Sequence, residues 1–428
     1  MANPKLAMIP TGYKAGKVYS VLPESGVGDF TFDRDSLATR VNENGLIETM
    51  AIDVPRLDYT DGGCPSLLLE PESTNAVPYS EDFSDVVWTK TGLSSVASGF
   101  TSPDGTNNAY KLIEDTLNSV HRIVDDIIVS GTGVVYTQSV FAKSGSSGRY
   151  LRMFRGSGTY NNAVFDLENG TVITQAGSNI ISTKIEEYAN GWYRCSSTYT
   201  TQFGNVGTYY GLQNGNTDSY QGDGTSHIYL WGAMLEELSY PTSYIPTNGT
   251  AVTRVGETCN DSGDASTFND SEGVLMFEGS FLSKTSSQNR RIAISDGTTS
   301  NTILIQNVGS VSNRLQFYTI VNNATSTDFY TDLSDITLFN KIVFKYKINN
   351  FSVWINGFEV LTDTSGITFP NGTLTELAFD GGDGGNDFYG NTKQIQYFDS
   401  TLTDAELETL TSWQSFLEMA NAQNYTII

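Results

Sequence analysis

The run Lys341-Ile-Val-Phe-Lys-Tyr-Lys-Ile348, then Asn349-Asn350, then Phe351-Ser-Val-Trp-Ile355, Asn356-Gly357 and Phe358-Glu-Val-Leu361 decides the fold class. Side chains in this run alternate in character with a period of two, the period of a pleated strand with one face buried. Asn356-Gly357 supplies the left-handed backbone that a two-residue type I′ turn requires. Three antiparallel strands in a meander are predicted. The same pattern extends upstream. Val134-Val-Tyr-Thr-Gln-Ser-Val-Phe-Ala142 reads as a strand with Val135, Thr137, Ser139 and Phe141 on one face and Tyr136, Gln138, Val140 and Ala142 on the other. Further strands are centred on Tyr150 to Phe154, Gly191 to Ser197 and His227 to Leu235, with Gly, Asn and Asp clusters between them. Trp192, Trp231 and Trp354 fall inside strand patterns and are expected in cores.

Composition supports this reading along the whole chain. Only 17% of residues are charged, against 12% aromatics and 41 glycines, which suits short strands and tight turns. At 428 residues the chain exceeds one core of ordinary size. The expectation is an all-β protein with two β-sandwich (jelly-roll) domains, an N-terminal attachment segment and a C-terminal helix. Residues 1–78 sustain no single period and are read as the attachment segment; 79–250 form the first sandwich and 271–400 the second. Residues 251–270 are read as a linker, because Asn260-Asp-Ser-Gly-Asp-Ala-Ser-Thr-Phe-Asn-Asp270 is dense in turn formers. Residues 401–428 are the helix and tail. There Thr403 and Glu406 have the spacing of a capping box, with Leu402 and Leu407 as its hydrophobic staple. Leu407, Leu410, Trp413 and Leu417 follow at helical spacing as one apolar stripe.

The formal net charge of −24, from 48 acidic and 24 basic residues, repels phosphate backbones and anionic membranes. Neither nucleic acid nor membrane insertion is expected, and no apolar stretch reaches the roughly 18 residues of a bilayer span. The opening Met1-Ala-Asn-Pro-Lys-Leu-Ala-Met-Ile-Pro10 lacks the basic start and apolar run of a secretory signal, so synthesis in the cytoplasm is expected. Cys64, Cys195 and Cys259 are odd in number and far apart, which reads as free thiols. The two histidines, His121 and His227, lack neighbouring ligand pairs, and neither G-x-S-x-G nor H-E-x-x-H occurs. No catalytic residue is assigned, and the chain is expected to be no enzyme.

Two kinds of binding residue are nominated instead. A sugar ring can lay its apolar C–H face on an exposed aromatic, for which Trp88, Tyr160, Tyr209 and Tyr210 are the candidates near loops. Asp380-Gly-Gly-Asp-Gly-Gly-Asn-Asp387 concentrates oxygen donors, making Asp380, Asp383 and Asp387 candidate ligands of a structural calcium. Its spacing is not that of an EF-hand loop, and a solvated glycine turn is the competing reading.

Several motifs carry a resemblance. Pro55-Arg-Leu-Asp-Tyr59, Leu67-Leu-Leu-Glu-Pro71, Ser73-Thr-Asn75 and Tyr79-Ser80 resemble a module near the front of phage tail and virion proteins. The segments 102–112, 136–143, 190–196, 231–237 and 241–247 resemble the carbohydrate-binding-module-like jelly roll of the same proteins. Residues 353–360 and 388–407 resemble the laminin G-like, concanavalin A-like lectin fold. The resemblance implies a virion structural protein, a tail fibre, spike or similar appendage that binds host surface glycans as a homo-oligomer, a trimer, alongside other virion proteins. A capsid decoration or head-fibre protein is the structural alternative, and a glycan depolymerase the alternative of another class.

Overall fold

The computed structural model describes residues 2–128, 131–155, 161–201 and 205–423. The described chain is almost entirely β, with two short helices near its C-terminal end. It divides into two units: residues 1–35, 50–71 and 256–428 form unit 1, and residues 36–49 and 72–255 form unit 2.

Unit 1 is a sandwich. Its larger sheet runs in the order Phe358–Asp363, Phe351–Ile355, Asn340–Lys347, Glu272–Phe281, Gly390–Phe398, Ser66–Leu69 and Arg56–Asp58, with Leu6–Met8 also paired to Gly390–Phe398. The facing sheet runs Ala324–Asp332, Arg314–Val321, Thr302–Asn307, Arg290–Ser295 and Glu376–Ala378. The meander expected at 341–361 is present in register, Phe344 opposite Val353 and Ile355 opposite Phe358. Asn356 and Gly357 have φ of 49° and 91°, as the turn demands.

Glu272–Phe281 is buried along nearly its whole length because both of its faces are covered. Leu275 and Phe277 enter the inter-sheet core with Phe344 and Tyr397. Val274 and Met276 point the other way, into a smaller cluster with Trp354, Leu402 and Leu407. The helix Asp404–Thr411 supplies that cover. Its capping box is complete, Thr403 Oγ1 accepting from the Glu406 N–H while the Glu406 carboxylate accepts from the Thr403 N–H.

Three sequence expectations change here. The apolar stripe does not form one helix: Ser412 is extended, and Ser415 caps a second helix, Phe416–Ala422, which leaves Leu417 59% exposed. Residues 1–78 are not a separate segment, since Leu6–Met8, Arg56–Asp58 and Ser66–Leu69 are strands of the unit 1 sheet. Nor are 251–270 a loose linker. Val252–Arg254 pairs with Ser73–Asn75 in unit 2, Thr258–Asn260 pairs with Phe30–Asp33 in unit 1, and Cys259, Ser262 and Phe268 are buried. Strands of two to four residues carry too few positions to show a period, so the sequence reads them as irregular chain.

The three pieces of unit 1 meet at a buried ionic cluster. Glu257 Oε1 accepts from Arg34 Nη1 at 2.8 Å and from Arg56 Nε at 2.9 Å, while its Oε2 accepts from Arg56 Nη2 and from the Glu70 N–H. Arg56 Nη1 also donates to Glu70 Oε2 at 2.7 Å. Burial alone would lower the Arg56 pKa, but the Glu257 and Glu70 carboxylates hold it above its ordinary value.

Unit 2 is the second sandwich. One sheet runs Leu93–Phe100, Ala109–Glu114, His227–Glu236, Val135–Ser144, Trp192–Thr200 and Ile180–Tyr188. The other runs Thr89–Thr91, Asn118–Ile128, Asn205–Asn214, Arg149–Arg155, Asn161–Asp166 and Thr171–Ala176, with Ser219–Gln221 paired to Asn118–Val120. Tyr136, Val140 and Ala142 face the core between the sheets, and Phe141 faces the opposite way among Trp192, Trp231 and Tyr244, as the alternation predicted.

Candidate functional site

The strand Asn205–Asn214 carries the adjacent pair Tyr209-Tyr210, and successive side chains of a strand point to opposite faces. Tyr210 turns inward, wholly buried, its hydroxyl donating to Ser139 O at 3.1 Å; burial pushes its pKa above the ordinary tyrosine value. Trp88 is also core, 1% exposed, with Nε1 donating to Tyr79 O and its ring 5.1 Å from Phe83. Neither can stack on a sugar in solvent. Tyr160 lies outside the described residues. Tyr209 is the candidate that reaches the outer face, where it is half-buried.

That face has a defined arrangement. Arg122 stands opposite Gly211, and Gly211 opposite Arg152, so the three form a row across neighbouring strands. The next row is Val124, Tyr209, Phe154 and Asn162. Gly211 has no side chain, and its neighbours close over it: a Cβ there would press on His121 O at 3.2 Å and Arg122 Cβ at 3.3 Å. The guanidinium carbons of Arg122 and Arg152 lie 5.3 and 4.2 Å from the Phe154 ring centroid, and Arg122 is 5.7 Å from that of Tyr209. The Phe154 and Tyr209 rings are 4.8 Å apart. Arg152 is held by two bonds, Nε donating to Asn162 Oδ1 at 2.7 Å and Nη1 to Asp218 Oδ2 at 2.6 Å. Tyr209 donates its hydroxyl to Asp126 Oδ1 at 3.1 Å. Phe154 itself is buried, so the aromatic surface this face offers is that of Tyr209; beside fixed polar groups it suits a sugar, which has an apolar ring face and a rim of hydroxyls.

Unit 2 also has a polar cleft of about 440 Å³, lined by Glu81, Asp82, Asn108 and Tyr110 among others. Burial raises the Glu81 pKa despite hydrogen bonds from Tyr244 and Asn108. Asp82, less buried, is held below its ordinary value by bonds from Ser84 and Tyr110 that outweigh its desolvation.

The aspartates of the unit 1 loop do not converge on a common point as a ligand set. No group of three His, Cys, Asp or Glu that could hold a metal occurs among the described residues. Each carboxylate serves its own loop: Asp380 Oδ1 accepts from the Gly382 N–H at 2.5 Å, Asp383 Oδ1 from the Gly385 N–H at 3.2 Å, and Asp387 Oδ2 from the Tyr389 hydroxyl at 3.2 Å. The local bonds are those of a glycine turn, and the structure gives no support to Asp380, Asp383 and Asp387 as calcium ligands. Desolvation, with the charges of Asp387 and Asp383 adding to it, pushes the Asp380 pKa up to about 6. The native state thus binds this proton more tightly than the unfolded chain, and ionisation opposes folding as pH rises through 6. Asp380→Asn is expected to add on the order of 2 kcal/mol at pH 7, with the gain fading below about pH 4. Denaturant unfolding across pH 4–8 measures this; an equal gain at every pH would refute it.

His121 is buried, Nδ1 2.6 Å from Gly92 O, and His227 lies 3.0 Å from Thr225 O; neither belongs to these surfaces. Sequence reading missed Arg122, Arg152, Phe154 and Gly211, which are scattered along the chain and become neighbours only through strand pairing. The alternation at Tyr209-Tyr210 was the available signal that only one of the pair could face solvent.

No protein-family model matches the sequence, and no curated protein matches it. Among solved structures, the CBM40 module of the Ruminococcus gnavus IT-sialidase is 14% identical, covering 35% of this chain and 92% of its own, with a TM-score of 0.28. Domains LG4-5 of the mouse laminin α1 chain are 10% identical over 68% of this chain and 91% of their own, TM-score 0.22. A mutant of the GH43 protein BlXynB from Bacillus licheniformis is 10% identical over 90% and 84%, TM-score 0.23.

Proposed function

We propose that this chain is a glycan-binding structural protein of a bacteriophage particle, a tail fibre, spike or similar appendage, and that it does no chemistry. The observation that carries the binding role is the outer face of the unit 2 sheet, where half-buried Tyr209 stands beside Arg122 and the Arg152–Asp218 pair. The phage setting rests on the motif series between Pro55 and Leu407. In that setting the partners are host surface sugars and other virion proteins, and a trimer multiplies weak contacts into useful avidity.

The test is a glycan array followed by calorimetry on the purified chain. Tyr209→Ala is expected to weaken the best ligand about tenfold, or ~1.4 kcal/mol, in a chain that still unfolds cooperatively well above the assay temperature. A folded wild-type chain that holds no glycan on a broad array overturns the reading.

The opposed pKa shifts of Glu81 and Asp82 favour a second reading, a glycan hydrolase in the cleft. Against it, both Glu81 oxygens already accept bonds, from Tyr244 and Asn108. Release of reducing ends from host polysaccharide, lost in Glu81→Gln, would establish it.

A further inference from the structure

We infer that the unit 2 cleft at Glu81 and Asp82 is a sugar subsite that takes one uncharged ring through its hydroxyls and turns acidic sugars away. The inference rests on the glycan-binding reading and narrows it to a ligand class; neither Tyr209 nor Arg122 lines the cleft.

At about 440 Å³ the cleft falls within the size of ordinary small-ligand sites, roughly 300–1,000 Å³. Its walls are fixed by bonds that leave part of the lining unused. The segment 246–249 is pinned to 77–80: Thr247 Oγ1 donates to Val77 O at 2.6 Å, the Thr247 N–H to Ser80 Oγ at 2.8 Å and the Gly249 N–H to Pro78 O at 2.7 Å. Glu81 is held by Tyr244 and Asn108, each at 2.8 Å. A site whose walls are already placed loses less freedom when a ligand enters.

The groups left over match the rim of a sugar. The three hydrogen bonds to the Asp82 carboxylate from the Ser84 N–H, the Ser84 hydroxyl and Tyr110 all fall on Oδ1, which leaves Oδ2 to accept from a ligand. Asn107, exposed, accepts from Thr101 through Oδ1 and keeps Nδ2 to donate. Asn248 is exposed, and its side-chain amide bonds to no described residue. Because a hydroxyl both donates and accepts, adjacent hydroxyls of one ring can give to a carboxylate oxygen and receive from an amide. Pro246, also exposed on the cleft wall, offers an apolar surface to the C–H face of that ring.

Charge sets the selectivity. Glu81 and Asp82 line the cleft, and no Lys, Arg or His does so among the described residues. Asp82 is ionised at neutral pH, since against its desolvation the bonds from Ser84 and Tyr110 hold its carboxyl below the ordinary range. Burial raises the Glu81 pKa, and the nearby charge of Asp104 raises it further. Lys90 feels the charge of Asp82, but that of Asp85 more, and its Nζ donates to the Ser84 and Asp85 carbonyls at 2.8 and 2.6 Å. Even with Glu81 counted as neutral, Asp82, Asp85 and Asp104 outnumber this lysine. A sugar hydroxyl gives Asp82 a charge-assisted bond, whereas a sugar carboxylate meets like charge with no cation in the lining to receive it.

Calorimetry on the full chain tests the inference with neutral oligosaccharides of glucose, galactose, mannose and N-acetylglucosamine, each beside the same sugar with its primary alcohol oxidised to a carboxylate. The best neutral member is expected to bind about ten times or more tightly than its oxidised form. Asp82→Asn is expected to weaken the neutral ligand about tenfold and to shrink that preference. Asn248→Ala should weaken it roughly threefold in a chain that folds as before, because the amide it removes holds nothing in place. Equal binding of neutral and oxidised forms overturns the subsite and leaves glycan binding intact, as does a neutral affinity that neither variant moves. A chain that holds no sugar of either kind removes both readings.

Discussion

Replacing Glu257 by glutamine is expected to lower the unfolding free energy of unit 1 by roughly 3–5 kcal/mol, the usual cost of breaking a buried ion pair from one side. Glu257 is fully buried and accepts from Arg34, from Arg56 twice and from the Glu70 N–H. An amide in its place presents one oxygen and two hydrogens, so at least one guanidinium loses its acceptor. Arg34 would keep its bonds to the Val54 and Ala51 carbonyls and Arg56 its pair with Glu70, but the carboxylate that joins the two would be gone, and both arginines are themselves 0% exposed. Water cannot reach them to compensate. The positions of the partners magnify the effect, because Arg34, the Arg56–Glu70 pair and Glu257 belong to the three separate chain pieces that make up unit 1. Denaturant unfolding followed by tryptophan emission reads this out, with Trp354 and Trp413 in unit 1 and Trp88, Trp192 and Trp231 in unit 2. The unit 1 transition should move and the unit 2 transition stay in place. A Glu257→Gln chain as stable as its parent would show that the cluster adds nothing to stability.

A loss of comparable size is expected in unit 2 from Asn75→Leu. Asn75 is fully buried, and its amide uses every hydrogen-bonding position it has. Nδ2 donates to Ala233 O at 3.0 Å and to Ile245 O at 2.8 Å, while Oδ1 accepts from the Val77 and Leu235 N–H groups, both at 3.1 Å. Leucine has nearly the same shape and none of the polarity. Four backbone groups would be left in the interior without their amide partner, at about 1–3 kcal/mol for each that finds no substitute. The expected total is at least about 3 kcal/mol. Asn75→Asp should do no better, since a carboxylate facing two carbonyl oxygens repels them. Hydrogen exchange at Val77 and Leu235 checks the mechanism: in the leucine variant both amides should lose protection well before the core of the unit opens. Retained protection and an unmoved transition would contradict it.

The legible parts of this protein are those in which one strand carries its own evidence. The meander from Lys341 to Leu361 was readable because its strands are five to eight residues long and its turn needs Asn-Gly. The strand around Phe141 was readable to the level of which residue faces which way. The capping box at Thr403 was readable because its two halves lie three residues apart. What failed was everything that depends on distant pairing. Arg56–Asp58 is three residues long and wholly buried, and nothing in three residues says that it closes a sheet with segments more than 200 positions away. Trp88 reads in the sequence as an aromatic near a loop, yet it folds inward on Phe83 and Tyr210. The binding face was invisible for the same reason. Arg122, Arg152 and Gly211 have no local signature and become neighbours only where three strands align.

The interleaving of the chain also dictates how either half could be isolated. Because Leu6–Met8 and Ser66–Leu69 both bond to Gly390–Phe398, cloning from residue 271 onward would leave that strand paired on one side only, with Glu272–Phe281, and expose its other edge to self-association. Excision is the workable route instead. The stumps it would leave are already adjacent, Asp53 N donating to Arg34 O at 3.1 Å and Glu257 N to Glu70 O at 3.1 Å, so two short splices would reseal unit 1 as one continuous polypeptide.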